Sequence, residues 1–197
     1  MRIAVPPLAA LLLAALPPAA SPAAAAEVRY ELDPAHTFPS FEADHLGGLS
    51  VWRGRFNRSR GTVTLDREAG SGRLEVVVET GSVDFGLDAL DEHARGPDML
   101  DAGRFPEARY SGRLTDFVDG RPTRAEGELT LRGVTQPLVL EIRSFKCMPH
   151  PMHGRELCGA DALARFQRDA FGIDAGKDYG FDMTVVLRIQ AEAVAAE

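Results

Sequence analysis

The side chains able to do chemistry in this chain fall into two groups. Cys147, His150, His153 and Cys158 stand at C-x2-H-x2-H-x4-C within the segment CMPHPMHGRELC. Two thiolates with two imidazoles suit a tetrahedral zinc ion. The same two cysteines, the only ones in the chain, also read as a disulfide closing a short loop, the expected fate of an even pair in an exported protein. Pro149 and Pro151 restrict the loop, and an oxidising compartment competes for the thiols. The disulfide is therefore favoured and zinc is the alternative. The second group is His36, His45 and His93, with Asp33, Asp44 and Asp91 close by in sequence. An imidazole beside a carboxylate can serve as a general acid and base or as part of a metal site. Nothing in the sequence sets these within reach of a nucleophile, so each is expected to bond a backbone group or carboxylate at a turn. There is no G-x-S-x-G, H-E-x-x-H, phosphate-binding glycine loop or dinucleotide fingerprint. Neither an enzyme nor a resident metal or cofactor is expected.

The elements that must position these residues begin after residue 26. Residues 1–26 have the plan of a secretory signal peptide: Arg2, an apolar run from Leu8 to Leu16, and Ala24-Ala25-Ala26 ahead of Glu27. The run is shorter than the roughly 18 residues of a spanning helix and is bracketed by prolines, so no stable membrane insertion is expected. Residues 27–197 then form one domain of ordinary size. Losing Arg2 with the leader takes the net charge of the chain from -7 to -8. That acidic balance argues against nucleic acid or anionic membrane surfaces as main partners.

Period-two alternation dominates the rest. Leu129 and Leu131 alternate with Glu128, Thr130 and Arg132, and Leu138, Leu140 and Ile142 with Glu141 and Arg143. This predicts a hairpin whose turn is Gly133-Val134-Thr135-Gln136-Pro137. Similar runs start at Val28, Phe41, Val51, Gly61, Arg73 and Ala108, and the last carries Phe181, Met183, Val185, Leu187 and Ile189 on one face. Pro39 marks its strand as an edge or a bulge. One short helix is expected, with Asp88 as its cap, Leu87, Leu90 and Ala94 on one side, and Gly96-Pro97 as its stop. Gly159 to Phe171 alternates as a strand yet also places Leu163 and Phe166 on one helical face, which periodicity alone does not resolve. About nine strands with short links favour an antiparallel barrel or sandwich.

Over most of its length the mature chain resembles the YceI-like family of exported lipid-binding proteins. The resemblance rests on Asp33-Pro34-Ala35-His36, His45 with Gly47, Gly54-Arg55-Phe56, Gly61-Thr62-Val63, Asp91 with His93, and Asp98 with Asp101 and Pro106. It continues through Gly127 to Thr135 with Pro137, and Arg168-Asp169 with Phe171-Gly172. Pro39 stands where the family usually has an aliphatic residue, and Met99-Leu100 where it usually has two phenylalanines.

The resemblance implies an all-β, lipocalin-like, eight-stranded antiparallel barrel with a short helix near one end, and resolves Gly159 to Phe171 in favour of a strand leading into the Arg168-Asp169-Ala170-Phe171-Gly172 turn. It also implies a pore holding a long-chain isoprenoid-type lipid, such as a polyisoprenoid or isoprenoid quinone, for which the protein is a periplasmic carrier or sink, alone or as a homodimer. The apolar strand faces supply the pore candidates Phe41, Phe56, Val63, Leu74, Val76, Val78, Leu129, Leu131, Leu138, Leu140, Phe181, Met183, Val185 and Leu187. Trp52, Met99 and Phe105 are candidates for its mouth. The competing function is a redox- or quinone-acting enzyme using the His and Asp residues or the Cys147 to Cys158 loop.

Overall fold

The computed structural model describes Met1 and residues 27–197. The leader expected at residues 1–26 therefore lies, but for Met1, outside the described residues. The strands are β1 (Val28–Leu32), β2 (Phe38–His45), β3 (Ser50–Phe56), β4 (Ser59–Asp66), β5 (Ser71–Glu79), β6 (Val83–Asp84), β7 (Glu107–Val118), β8 (Arg121–Leu131), β9 (Val134–Pro149), β10 (Glu156–Gln167) and β11 (Thr184–Ala195). The single α-helix among the described residues, α1 (Asp88–Arg95), follows β6.

Eight strands close on themselves in the order β1-β4-β5-β7-β8-β9-β10-β11, with β11 returning to β1. Closure covers most strand edges, the standing hazard of an antiparallel sheet, but leaves Val134 to Leu140 of β9 without a β10 partner. The last strand serves two partners along its length. Ala193–Ala195 pair with Leu32–Tyr30 of β1, whereas Val185–Gln190 pair with β2. Beyond β2 the wall continues through β3 to the two residues of β6.

Two hairpins turn in two residues. Asp119-Gly120 joins β7 to β8, and Arg132-Gly133 joins β8 to β9, each pair with positive φ (51° and 70°; 50° and 73°). Such turns match the right-handed twist of the flanking strands. The five-residue turn expected at Gly133–Pro137 is thereby corrected: Val134 to Pro137 belong to β9, with Leu131 opposite Val134 and Glu128 opposite Pro137. Pro137 is tolerated because β9 pairs with β10 only from Glu141 onward, so no ladder donor is missed on that side. Pro39 obeys the same logic: it faces Ile189 of β11, while the β2 to β3 pairing starts at Ser40.

The register between β9 and β10 shifts where Ala162 faces Ile142 and Asp161 faces Ser144. The extra residue, Arg143, is a bulge that lets Ile142 and Phe145 both turn inward, and both pack on the core. Residues 159–167 are strand, part of β10. The helix departs from expectation at its start: Asp88 is its first residue rather than its cap, and Leu87 is exposed. Asp91 accepts the amide of Phe85 at 2.7 Å, tying α1 to the end of β6.

Candidate functional site

The barrel interior is filled at one end and lined at the other. Tyr30, Leu65, Tyr110, Leu114, Ala125, Leu138, Leu140 and Cys158 are buried in one cluster, with Phe117, Phe145 and Cys147 packed against it. The Tyr110 hydroxyl, 3.1 Å from the carbonyls of both Ala125 and Leu138, satisfies its polar end there. Burial pushes its pKa up to about 12. Tyr30 donates to Glu156 at 2.5 Å and is also raised, chiefly by burial and then by the Glu156 hydrogen bond. Polar tips on buried rings need such partners.

Cys147 and Cys158 face each other across β9 and β10 and form a disulfide. The zinc alternative is thereby removed. A Glu156 oxygen lies near both sulfurs, but the sulfurs are bonded to each other and Glu156 is engaged by Tyr30 and Arg67.

The other end opens between β2, β3 and β6. Residues directly opposite in antiparallel strands share a face. Phe41 and Ala43 lie opposite Leu187 and Val185, and Trp52 and Gly54 opposite Ala43 and Phe41. Phe56 lies opposite Val83, putting the side chain of Phe85 on the same inward face. One concave surface results. Its rings touch in sequence: Phe56 to Phe41 at 5.5 Å, Phe41 to Phe85 at 5.2 Å, Phe85 to Trp52 at 6.3 Å, Trp52 stacked on His45 at 4.2 Å, and His45 to Phe181 at 5.6 Å between centroids. Gly54 makes the ladder possible. A Cβ there would lie 2.7 Å from Phe41 Cζ and 3.1 Å from Phe85 Cδ1.

Below this ladder, Val63, Leu74, Leu129 and Leu187 are partly buried against the core, and Val76 and Val78 continue the face of Leu74. Leu131 is buried with Phe171 and Ile173, with Met99 and Leu100 packed on them. Met183 and Val185 are buried. Phe105 braces a turn: its ring lies over Gly133, where an added Cβ would meet Cε1 at 3.1 Å, and its carbonyl accepts Thr80 Oγ1 at 2.6 Å.

Charged side chains pin the rim through backbone groups. Buried Arg168 donates to Ile173 O at 3.0 Å and Ala175 O at 2.7 Å, and desolvation lowers its pKa. Arg132 donates to the Met99 carbonyl. Asp44 accepts the amides of Gly47 at 2.9 Å, Gly48 at 2.6 Å and Asp182 at 2.9 Å, joining the β2 to β3 turn to the loop before β11. Those amides, Asp182 first, hold the Asp44 carboxyl below the usual carboxylate range.

His36 and His45 do not converge. His36 bonds Asp33 at 2.7 Å on the surface. It precedes β2, whereas His45 is the last residue of that strand, roughly 30 Å of extended chain away. His93 lies in the last turn of α1. Sequence reasoning placed His45 among possible acids and bases, whereas it is a rung of the aromatic ladder. Phe85 and Ile173 were missed, and Arg168 and Phe171 entered only as landmarks of the family resemblance. Phe85 follows a strand of two residues, too short for any period to show, but its position after alternating Val83 was a usable signal.

A model of the YceI-like domain matches residues 30–193. The chain belongs to the YceI-like family. YceI-like relatives include a UPF0312 protein of Vibrio parahaemolyticus, 36% identical over 153 residues that cover 77% of this chain and 79% of that one. Protein YceI of Escherichia coli is 30% identical over 164 residues, covering 83% and 84%. Among solved structures, BcnA of Burkholderia cenocepacia superposes with a TM-score of 0.64 at 18% identity, over 82% of this chain and 98% of that one. A domain from Saccharophagus degradans, described as polyisoprenoid binding, superposes with a TM-score of 0.58 at 16% identity, over 86% and 99%. These structures share the YceI-like barrel with this chain.

Proposed function

We propose that this protein is an exported, periplasmic carrier or sink for a long isoprenoid-type lipid, binding it without chemical conversion. The observation that carries this reading is the aromatic ladder Phe56, Phe41, Phe85, Trp52 and His45, which extends the apolar inner face of the barrel outward to an open rim. Each five-carbon isoprene unit exposed to water costs about 4 kcal/mol at about 0.8 per carbon, so such a lipid leaves a membrane only for another apolar host. The barrel is such a host. The tail enters from the ladder, lies along Val63, Leu74, Val76, Val78, Leu129 and Leu187, and stops where Tyr110, Leu138 and Leu140 fill the interior. The description of the Saccharophagus relative as polyisoprenoid binding supports this ligand class. The separation of His36 from His45 along β2, and the stacking of His45 on Trp52, support binding over catalysis, because a general acid and base must act within a few ångströms of the same bond.

The test is direct. Full-length protein produced in a Gram-negative host should be recovered from the periplasmic fraction without its leader, and organic extraction with mass spectrometry should release about one isoprenoid chain per barrel. Protein that carries no lipid, and takes up none from vesicles doped with a polyprenyl phosphate or quinone, would overturn the proposal.

A further inference from the structure

The rim is apolar on its outside as well as within. The turn from β2 to β3 and the first residues of β3 read LGGLSVW, Leu46 to Trp52, without a charged side chain in a chain of which 26% of residues are charged. Exposed turns are ordinarily built from Gly, Pro, Asn, Asp and Ser. Here Leu46, Leu49 and Val51 are exposed, Leu49 by 74%. The backbone is strained to present them. Leu46 takes a φ of 53°, in the left-handed region that glycine, asparagine and aspartate occupy more readily. Asparagine would suit the turn better, so leucine at this position answers to something outside the fold.

A second loop is held against this tip. A Cβ on Gly47 would lie 3.1 Å from the Gly180 carbonyl oxygen, and Asp44 accepts the amides of Gly47, Gly48 and Asp182 together. The Leu49 amide donates to His45 O at 3.1 Å and closes the turn. On one side of Gly180, Phe181 meets His45 in the aromatic ladder; on the other, Tyr179 is 80% exposed. Leu46, Leu49 and Tyr179 therefore stand on two loops fixed to each other. Behind them the ladder begins with His45 and Trp52.

The occupant of such a tip must accept a small, projecting apolar surface. A stable protein partner takes roughly 20 to 30 residues a side, more than two loop tips supply. A fluid bilayer needs no matching shape, and an apolar tip with a tyrosine beside it suits the headgroup level. Position points the same way. The tip is continuous with the ladder, so a lipid whose tail enters the barrel leaves the bilayer beside these rings without crossing water. Charge names the kind of bilayer. The chain is acidic, with a net charge of -7, and Lys177 beside Tyr179 is already paired with Asp169 at 2.7 Å. An anionic surface repels such a protein and a zwitterionic one does not.

Resting on the reading of the barrel as a lipid carrier, we propose that Leu46, Leu49 and Tyr179 dock the rim on zwitterionic bilayers, inserting among the headgroups while lipid passes along the ladder. Docking is peripheral, since no helix among the described residues is long and apolar enough to cross a membrane.

The purified protein is floated with phosphatidylcholine vesicles in a density gradient. Transfer of a dansyl-labelled polyprenyl phosphate from loaded protein to such vesicles is timed as their concentration is raised. The parent should float at about 0.5 M salt as well as at low salt, because apolar contact is not screened, and its transfer rate should climb with vesicle concentration. Leu46→Asn/Leu49→Ser/Tyr179→Ser should bind vesicles at least about tenfold more weakly and transfer at a rate that vesicle concentration does not change, with the parent's lipid content per molecule. Its thermal unfolding should match or exceed the parent's, since asparagine accepts the left-handed backbone. Met148→Ser/Met152→Ser, which removes exposed apolar side chains at the filled end, should float as the parent does. Protein that does not float, a triple variant that floats as well as the parent, or binding confined to phosphatidylglycerol vesicles and lost in salt would each overturn the assignment. So would a tip that joins two copies instead, seen as a dimeric parent and a monomeric variant in sedimentation. The carrier reading fails separately: protein that floats yet takes up no polyprenyl lipid keeps the docking surface and loses the cargo, whereas protein that carries lipid and does not float loses docking alone.

Discussion

The two ends of the barrel do opposite things. At the disulfide end, inward positions carry large residues that bury one another and satisfy their polar tips, as Tyr110 does on Ala125 and Leu138. At the rim, inward positions carry aromatic rings that meet edge to face, tilted or stacked and remain partly exposed, with Trp52 at 37%. Loops there are held by Arg168, Arg132 and Asp44 through backbone atoms and by the small buried cluster of Leu131, Phe171 and Ile173. One end stores stability and the other keeps apolar surface available. The barrel divides these tasks because its long strands β7 to β11 contribute different residues to each end, whereas β2, β3 and β6 belong to the rim alone.

The largest test of this division is at the filled end. Tyr110→Ala should cost about 3 to 5 kcal/mol in urea unfolding, the range for removing a buried ring, while lipid content per folded molecule persists. Opening the disulfide by Cys147→Ser/Cys158→Ser should cost about 2 to 3 kcal/mol, again with lipid retained. A loss of lipid matching either loss of stability would show that the ends are not separable. At the rim the sign of the contrast reverses. Trp52→Ala should change unfolding by no more than about 1 kcal/mol, as for a half-exposed residue, yet should speed lipid transfer to vesicles several-fold; unaltered transfer would remove Trp52 from the path. The smallest effect concerns pH. The folded pKa of Asp44 is depressed, so its stabilisation is present above the ordinary carboxylate pKa of about 3.9 and lost as pH falls through the folded value. Hydrogen exchange at the amides of Gly47, Gly48 and Asp182 should lose protection in that acid range while Tyr110 and Leu138 in the filled end keep theirs, and an Asp44→Asn variant should show the weakened protection already at neutral pH.

The strands were legible because alternation survives wherever one face is buried. β8, β9 and β11 show it over many residues, and Leu138 and Leu140 are buried where the pattern put them. The turn after β8 was misplaced because Pro137 is a strong turn signal, and only the missing β10 partner at that height explains its place in a strand. The helix start was misread for a related reason: Asp88 has the side chain of a cap, but Asp91 holds the approach to the helix through Phe85. The alternation Ala160, Ala162, Ala164 was ambiguous by itself, and pairing with β11 throughout and with β9 as far as Leu163 makes it strand.

The sequence by itself determined that the described chain is antiparallel sheet with an apolar inner face, that two cysteines have only each other, and that landmarks of the YceI-like family stand in order from Asp33 to Gly172. These depend on local periodicity and on residue identity. Only the tertiary structure decided which inward residues fill the barrel and which line its rim. It also decided that β11 serves β1 and β2 in turn, and that His45 stacks with Trp52 instead of acting beside Asp44. Those outcomes depend on register between strands far apart in the chain, and a side-chain period of two fixes the face of a residue but not its height in the barrel or the neighbour across from it.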